Sequence, residues 1–147
     1  MGSSDPLAAG PAIVRTLELA AGLALLTARV AGRDDLAQRA EALRVELTPL
    51  AAEDEAAYRE FLATRSDSAR ARTIELPLRM AELAADAAEL AVEAALSTES
   101  AARGDARAGV VLAEACARAA AMLVQVNGGG DAAASATGRA SRAAARL

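Results

Sequence analysis

Apolar residues return at three- and four-residue spacing through most of the chain, and that period predicts helices rather than strands. From residue 12 to residue 31 they occur nearly all round the helix axis, so this first helix is expected at the centre of the fold. Pro11 is tolerated at its start because its missing N–H has no partner there. Gly32 ends it, and Asp34 or Asp35 offers an oxygen to cap a second helix. That helix places Leu36, Ala40, Leu43 and Leu47 on one face, with Arg39, Glu41, Arg44 and Glu46 largely opposite. Pro49 is expected to kink or restart it, with residues 50–64 helical again. After the polar linker 65–68, Asp67 or Ser68 is expected to cap a helix reaching Leu96, bent at Pro77. A second polar connection, 97–100, leads through Gly104 to a helix over 105–126, and Gly128-Gly129-Gly130 then precedes a weak, Ala- and Arg-rich terminal helix over 131–147. Gly109, Ala113, Ala117 and Ala120 form a small-residue strip on which another helix can pack closely. No strand alternation and no internal repeat is visible.

Composition sharpens this picture. Alanine occupies 44 of 147 positions and there is one Tyr, one Phe and no Trp, so the interior must be closely packed aliphatic helices. The expected architecture is all-α, a single-domain bundle of about five helices, with 1–11 a flexible start and 12–127 the core. All sixteen basic residues are arginines scattered among twenty acids, giving a net charge of −4, and no basic patch for a phosphate backbone emerges, so nucleic acid is not expected as a partner. The two longest apolar stretches are broken by Arg15, Glu18 and Arg29, and by Glu114 and Arg118, which argues against membrane spans. With no signal-peptide pattern at the start, the expected location is cytoplasmic. The complete absence of histidine excludes Ser-His-Asp and Cys-His nucleophile systems and His-containing metal sites, and no metal is expected. The single cysteine, Cys116, lies in an apolar run and reads as a buried small hydrophobe.

Three local constellations carry candidate chemistry. Glu53-Asp54-Glu55 precedes Tyr58, and Asp54 and Tyr58, four apart, share a helix face. The pair reads either as a carboxylate and phenol in a pocket or as a solvated acidic turn with Tyr58 filling the core. Asp105 opens a long apolar helix, where capping alone explains a carboxylate. Asn127 precedes three glycines and either caps a helix C-terminus or turns its amide into a pocket. The glycine run follows a helix and lacks a subsequent Lys, which excludes a phosphate loop.

In order along the chain these pieces resemble the cyclodeaminase/cyclohydrolase family, which comprises the C-terminal domain of formiminotransferase-cyclodeaminase and stand-alone methenyltetrahydrofolate cyclohydrolases. The family's Asp-x-x-Ala-(Phe or Tyr) motif is matched by Asp54, Ala57 and Tyr58, and its Pro-Leu pair by Pro77-Leu78. Its Ser-Asp-Ala-x-x-Gly block, followed by a long helix ending in Asn-Val-x-Ile-Asn, is matched from its Asp onward by Asp105-Ala106-Arg107-Ala108-Gly109 leading without a gap to Leu123-Val124-Gln125-Val126-Asn127. The family's opening Pro-x-Pro-Gly-Gly-Gly-Ser has become Pro6-Leu7-Ala8-Ala9-Gly10-Pro11-Ala12, its lysine-rich stretch Gly32-Arg33-Asp34-Asp35, and the first Asn of its last block Leu123.

The resemblance implies one-carbon chemistry on a tetrahydrofolate derivative as substrate, either cyclodeamination of the 5-formimino compound or cyclohydrolysis of the 5,10-methenyl compound. It assigns Asp54 as the acid–base residue, with Tyr58, Asp105 and Asn127 lining or supporting the pocket and Gly10 the remnant of a ligand-facing turn. The alternatives are a catalytically degenerate helical protein and an enzyme for another formimino or amidine compound. A homodimer is expected, because the small-residue strip and the apolar first helix offer more apolar face than a thin bundle can bury.

Overall fold

The structure is a computed structural model that describes residues 8–147. It consists of six helices: α1 (Ala9–Val30), α2 (Asp34–Leu47), α3 (Leu50–Thr64), α4 (Asp67–Leu96), α5 (Ala102–Val126) and α6 (Ala134–Ala144), with no strand among the described residues. The all-α bundle is the one the periodicity predicts, with α2 and α3 separated at Thr48-Pro49. Of the expected flexible start, residues 1–7 lie outside the described residues, whereas residues 9–11 are helical. Pro11 falls within the first turn, where backbone N–H groups have no intrahelical acceptor, so α1 begins ahead of it.

Several helix ends differ from the sequence reading for local reasons. Asp34 and Asp35 lie inside the first turn of α2 rather than capping it. Asp35 instead receives two hydrogen bonds from Arg33, at 2.7 and 2.9 Å, which hold its carboxyl down at about 2. Ser66, rather than Asp67 or Ser68, caps α4 by accepting from Ala69 N–H at 3.2 Å. Helix α5 starts at Ala102, leaving Asp105 in its first turn with no capping hydrogen bond. Gly32 and Gly128 stop α1 and α5 with φ of 67° and 97°, a region that glycine enters without the Cβ penalty.

The small-residue strip of α5 is spent inside the protomer. Gly109, Ala113, Ala117 and Ala120 are all buried, and a Cβ on Gly109 would lie 3.2 Å from the Ala20 carbonyl oxygen and 3.8 Å from Ala91 Cβ. Helices α1, α4 and α5 therefore meet almost backbone to backbone. Thr27 donates to Ala102 O at 2.8 Å, Gly109 abuts Ala20, and Cys116 Sγ sits 3.8 Å from Ile13 O. In each pair the two residue numbers add to the same value, which defines one antiparallel register over the length of both helices. Helix α4 is the central element, its alanines from Ala81 to Ala95 wholly buried.

Helix α6 closes the bundle. It buries Ala136, Ala140 and Ala143, and Arg139 binds Asp86 and Glu89 of α4 at 2.6 to 3.0 Å. On length and mean hydropathy alone α1 and α5 would suffice to cross a membrane, their interrupting charges notwithstanding. Half of the most apolar window of α1, and 39% of that of α5, is core of this bundle.

Cys116 is buried, as its apolar run predicts, and desolvation pushes its thiol up to about 11. In the native protein it should react with a chromogenic disulfide reagent at least about a hundredfold more slowly than in denaturant. Comparable rates in both conditions would contradict this burial.

Candidate functional site

The antiparallel register of α1 and α5 brings the start of α1 beside the last two turns of α5, and α3, which packs on α1 and α4, flanks that junction. A cleft of about 550 Å³ opens there, a volume in the range of small-molecule sites. Gly10, Asp54, Tyr58 and Asn127, which come from three separate helices or their ends, all line it. Asp105 does not. It is exposed at the far end of α5, 22 residues before Asn127, or roughly 33 Å at a helical rise of 1.5 Å per residue. One straight helix cannot bring both ends to one cleft.

Asp54 and Tyr58 project from one face of α3. Tyr58 is 56% exposed, which rules out the core-filler reading and leaves its ring free on the rim. Asp54 is half-buried against the first turn of α1, where a methyl group on Gly10 would collide with its carboxyl group. Gly10 thus leaves the Asp54 carboxyl group its present place. It belongs to a helical turn rather than to a ligand-facing loop, because α1 starts at Ala9. Ala12 N–H is bonded to Ala8 O, so the N–H groups of Ala9 and Gly10 have no intrahelical partner beside the cleft. Burial raises the Asp54 carboxyl above its ordinary range, and the adjacent charge of Glu55 raises it further.

Asn127 is at the place its position suggested, the end of a helix, here α5, beside a cleft that it lines. Its Nδ2 donates to Thr73 O at 2.8 Å. Helix α4 runs on through Pro77, whose ring nitrogen carries no hydrogen, so the Thr73 carbonyl four residues earlier has lost its helical donor. Asn127 replaces it from the neighbouring helix.

Other cleft residues escaped the sequence reading. Arg59, Leu62, Thr73 and Leu123 also line it, Arg59 being its only cation among the described residues. Arg59 and Leu62 follow Glu55 and Tyr58 by one turn, a spacing that could have flagged them. Thr73 and Leu123 become neighbours only through the packing of α4 on α5. No group of three acidic or thiol side chains that could hold a metal ion is found among the described residues.

The fold is an all-helical bundle whose cleft is lined by a carboxylate, a phenol and an amide. Residues 17–135 match the family model described as formiminotransferase-cyclodeaminase, and the chain belongs to that family. No curated protein matches the chain significantly.

The Pro77–Asn127 relationship is testable by stability alone. Asn127→Ala leaves a buried carbonyl without a donor and should cost about 1 to 3 kcal/mol in urea unfolding. In a Pro77→Ala background, where residue 77 regains an N–H, the same change should cost much less. Equal costs in both backgrounds would show that Thr73 O does not depend on Asn127.

Proposed function

We propose that the protein acts on a folate-bound one-carbon unit, as a formiminotetrahydrofolate cyclodeaminase or methenyltetrahydrofolate cyclohydrolase, with Asp54 as the acid–base residue. The observation that carries this reading is the convergence of Gly10, Asp54, Tyr58 and Asn127 on one cleft in a chain of this family. In cyclodeamination N10 attacks the carbon of the protonated formimino group, whose nitrogen carries two hydrogens, and the exocyclic C–N bond then breaks. The proton that N10 loses is the one that the departing nitrogen needs to leave as ammonia. In cyclohydrolysis water adds to the methenyl carbon and the ring opens at a C–N bond, one water proton passing to the freed nitrogen and one to solvent. A carboxylate whose ionised form is partly desolvated suits both, since it takes up and returns a proton and faces a cationic carbon. Tyr58, Leu62 and Leu123 offer apolar surface for a flat ring system, and Arg59 a cation for an anionic tail.

Asp54→Asn should lower turnover of either folate by at least about a hundredfold. Because the native carboxyl holds its proton more tightly than the unfolded one, its ionisation opposes folding, and stability falls as pH rises from the unfolded pKa through the raised native value. The Asn variant should therefore be more stable than the parent at neutral pH and lose that advantage in acid. A variant that keeps full turnover, or whose stability difference ignores pH, would remove Asp54 from this role.

The same reading includes a homodimer, formed on a different face from the one the small-residue strip suggested. Leu19 and Leu26 of α1 and Val111 and Met122 of α5 are 48 to 67% exposed. Leu23 touches Gly109 where the two helices cross, so Leu19 and Leu26 lie one turn to either side of that crossing. These residues belong to the two most apolar helices, whose windows the protomer buries only by half or less. Sedimentation should give about twice the 14.8 kDa chain mass, and Leu26→Glu with Met122→Glu should halve it. A monomeric parent protein would rule the dimer out.

A further inference from the structure

Asn127 holds more information than its place in the cleft. A side-chain amide normally presents its oxygen or its nitrogen with little preference, and a ligand can turn it either way. Here the Thr73 carbonyl accepts a hydrogen bond at 2.8 Å and can be satisfied only by the NH2 end. The carbonyl takes that bond because Pro77 supplies none, on a largely buried residue at the edge of the cleft. The amide orientation is therefore decided by a proline on another helix. Oδ1 is left as the acceptor available to a ligand, with one remaining Nδ2 hydrogen beside it. Nor does Thr73 compete for that role as a donor, since its hydroxyl donates to Arg70 O at 2.7 Å.

We propose that Pro77 is a positioning residue that sets substrate specificity by holding Asn127 Oδ1 as a hydrogen-bond acceptor for an N–H of the reacting one-carbon group. This rests on the folate reading above and selects between its two reactions. A formimino group ends in a nitrogen that bears hydrogen and, once protonated, positive charge, and Asp54 and Asn127 Oδ1 can both accept from it. The methenyl bridge carries the same charge on a C–H carbon between two fully substituted nitrogens and donates nothing. A fixed acceptor favours the ligand that brings the matching donor, because with a ligand lacking it the hydrogen bond is left to a water. The site thus favours the amidine-type substrate and cyclodeamination.

The test compares kcat/KM for 5-formimino- and 5,10-methenyltetrahydrofolate in the parent protein and in Pro77→Ala. In the variant the new N–H at residue 77 satisfies Thr73 O and releases the amide. The parent should favour the formimino substrate by about tenfold or more, and Pro77→Ala should bring the ratio toward unity while remaining folded. Widening of the cleft by the lost ring affects both substrates, so the ratio rather than either rate is the readout. A second arm needs no folate. Benzamidine, an N–H-donating cation, should shift the Asn127 side-chain amide signals in a nitrogen-15 correlation spectrum, whereas benzyltrimethylammonium, a cation without N–H, should not. That selectivity should weaken in Pro77→Ala. A methenyl preference, or a ratio that Pro77→Ala leaves unchanged, overturns the inference and leaves the folate reading standing. If neither folate is turned over but benzamidine is still selected through Pro77, Asn127 Oδ1 stands as an acceptor fixed by Pro77, while the folate reading and the choice between its two reactions fall. Equal response to the two cations, or to neither, with no folate turnover, overturns both.

Discussion

The close approach of α1, α4 and α5 is the constraint on which the rest of the molecule depends. Alanine and glycine at the contact positions let the backbones come within van der Waals reach, as Gly109 does against Ala20 and Ala91. Such an interface has little side-chain volume with which to absorb a shift, so sliding one helix past another by a turn would drive Cβ atoms into backbone. Register is correspondingly strict. Three contacts along α1 and α5 obey a single antiparallel alignment, and that alignment sets the start of α1 beside the end of α5.

The cleft lies at the place where this close packing gives out. At the junction of α1, α3, α4 and α5 the small residues end, and Asp54, Tyr58, Thr73 and Asn127 take over. Two omissions shape it. Gly10 lacks the side chain that would expel the Asp54 carboxyl group, and Pro77 lacks the N–H that would otherwise occupy the Thr73 carbonyl. In each case a missing atom on one helix fixes a functional group on another. The half-burial of Asp54 follows from the first omission, and its raised pKa follows from that burial. The orientation of Asn127 follows from the second.

The outer surface follows another logic. Arginines on the exposed faces of α2, α4 and α6 pair with glutamates and aspartates, as in Arg39 with Glu93, Arg79 with Glu46, and Arg139 with Asp86 and Glu89. Exposed pairs of this kind add little stability singly. Their effect is to give that side of the bundle a charged, hydrated surface, in contrast to the exposed apolar residues of α1 and α5.

Much of this was legible in the chain itself, because the relevant signals are local. Helical period, alanine content and the positions of Gly32, Pro49 and Gly128 determined the class of fold and most of the helix limits. Asp54 with Tyr58 stood out because a spacing of four puts two side chains on one helix face whatever the tertiary structure. Tertiary structure decided what depends on distances between helices. Asp105 and Asn127 read as partners because the motifs holding them adjoin without a gap, yet a straight helix separates them by its full length. The small-residue strip of α5 read as a surface for a partner, yet α1 and α4 fill it, since periodicity shows that a face is buried and not by what. Pro77 in a helical pattern already marks the Thr73 carbonyl as lacking its helical donor, but that Asn127 supplies the replacement hydrogen is decided only by α4 lying against the end of α5.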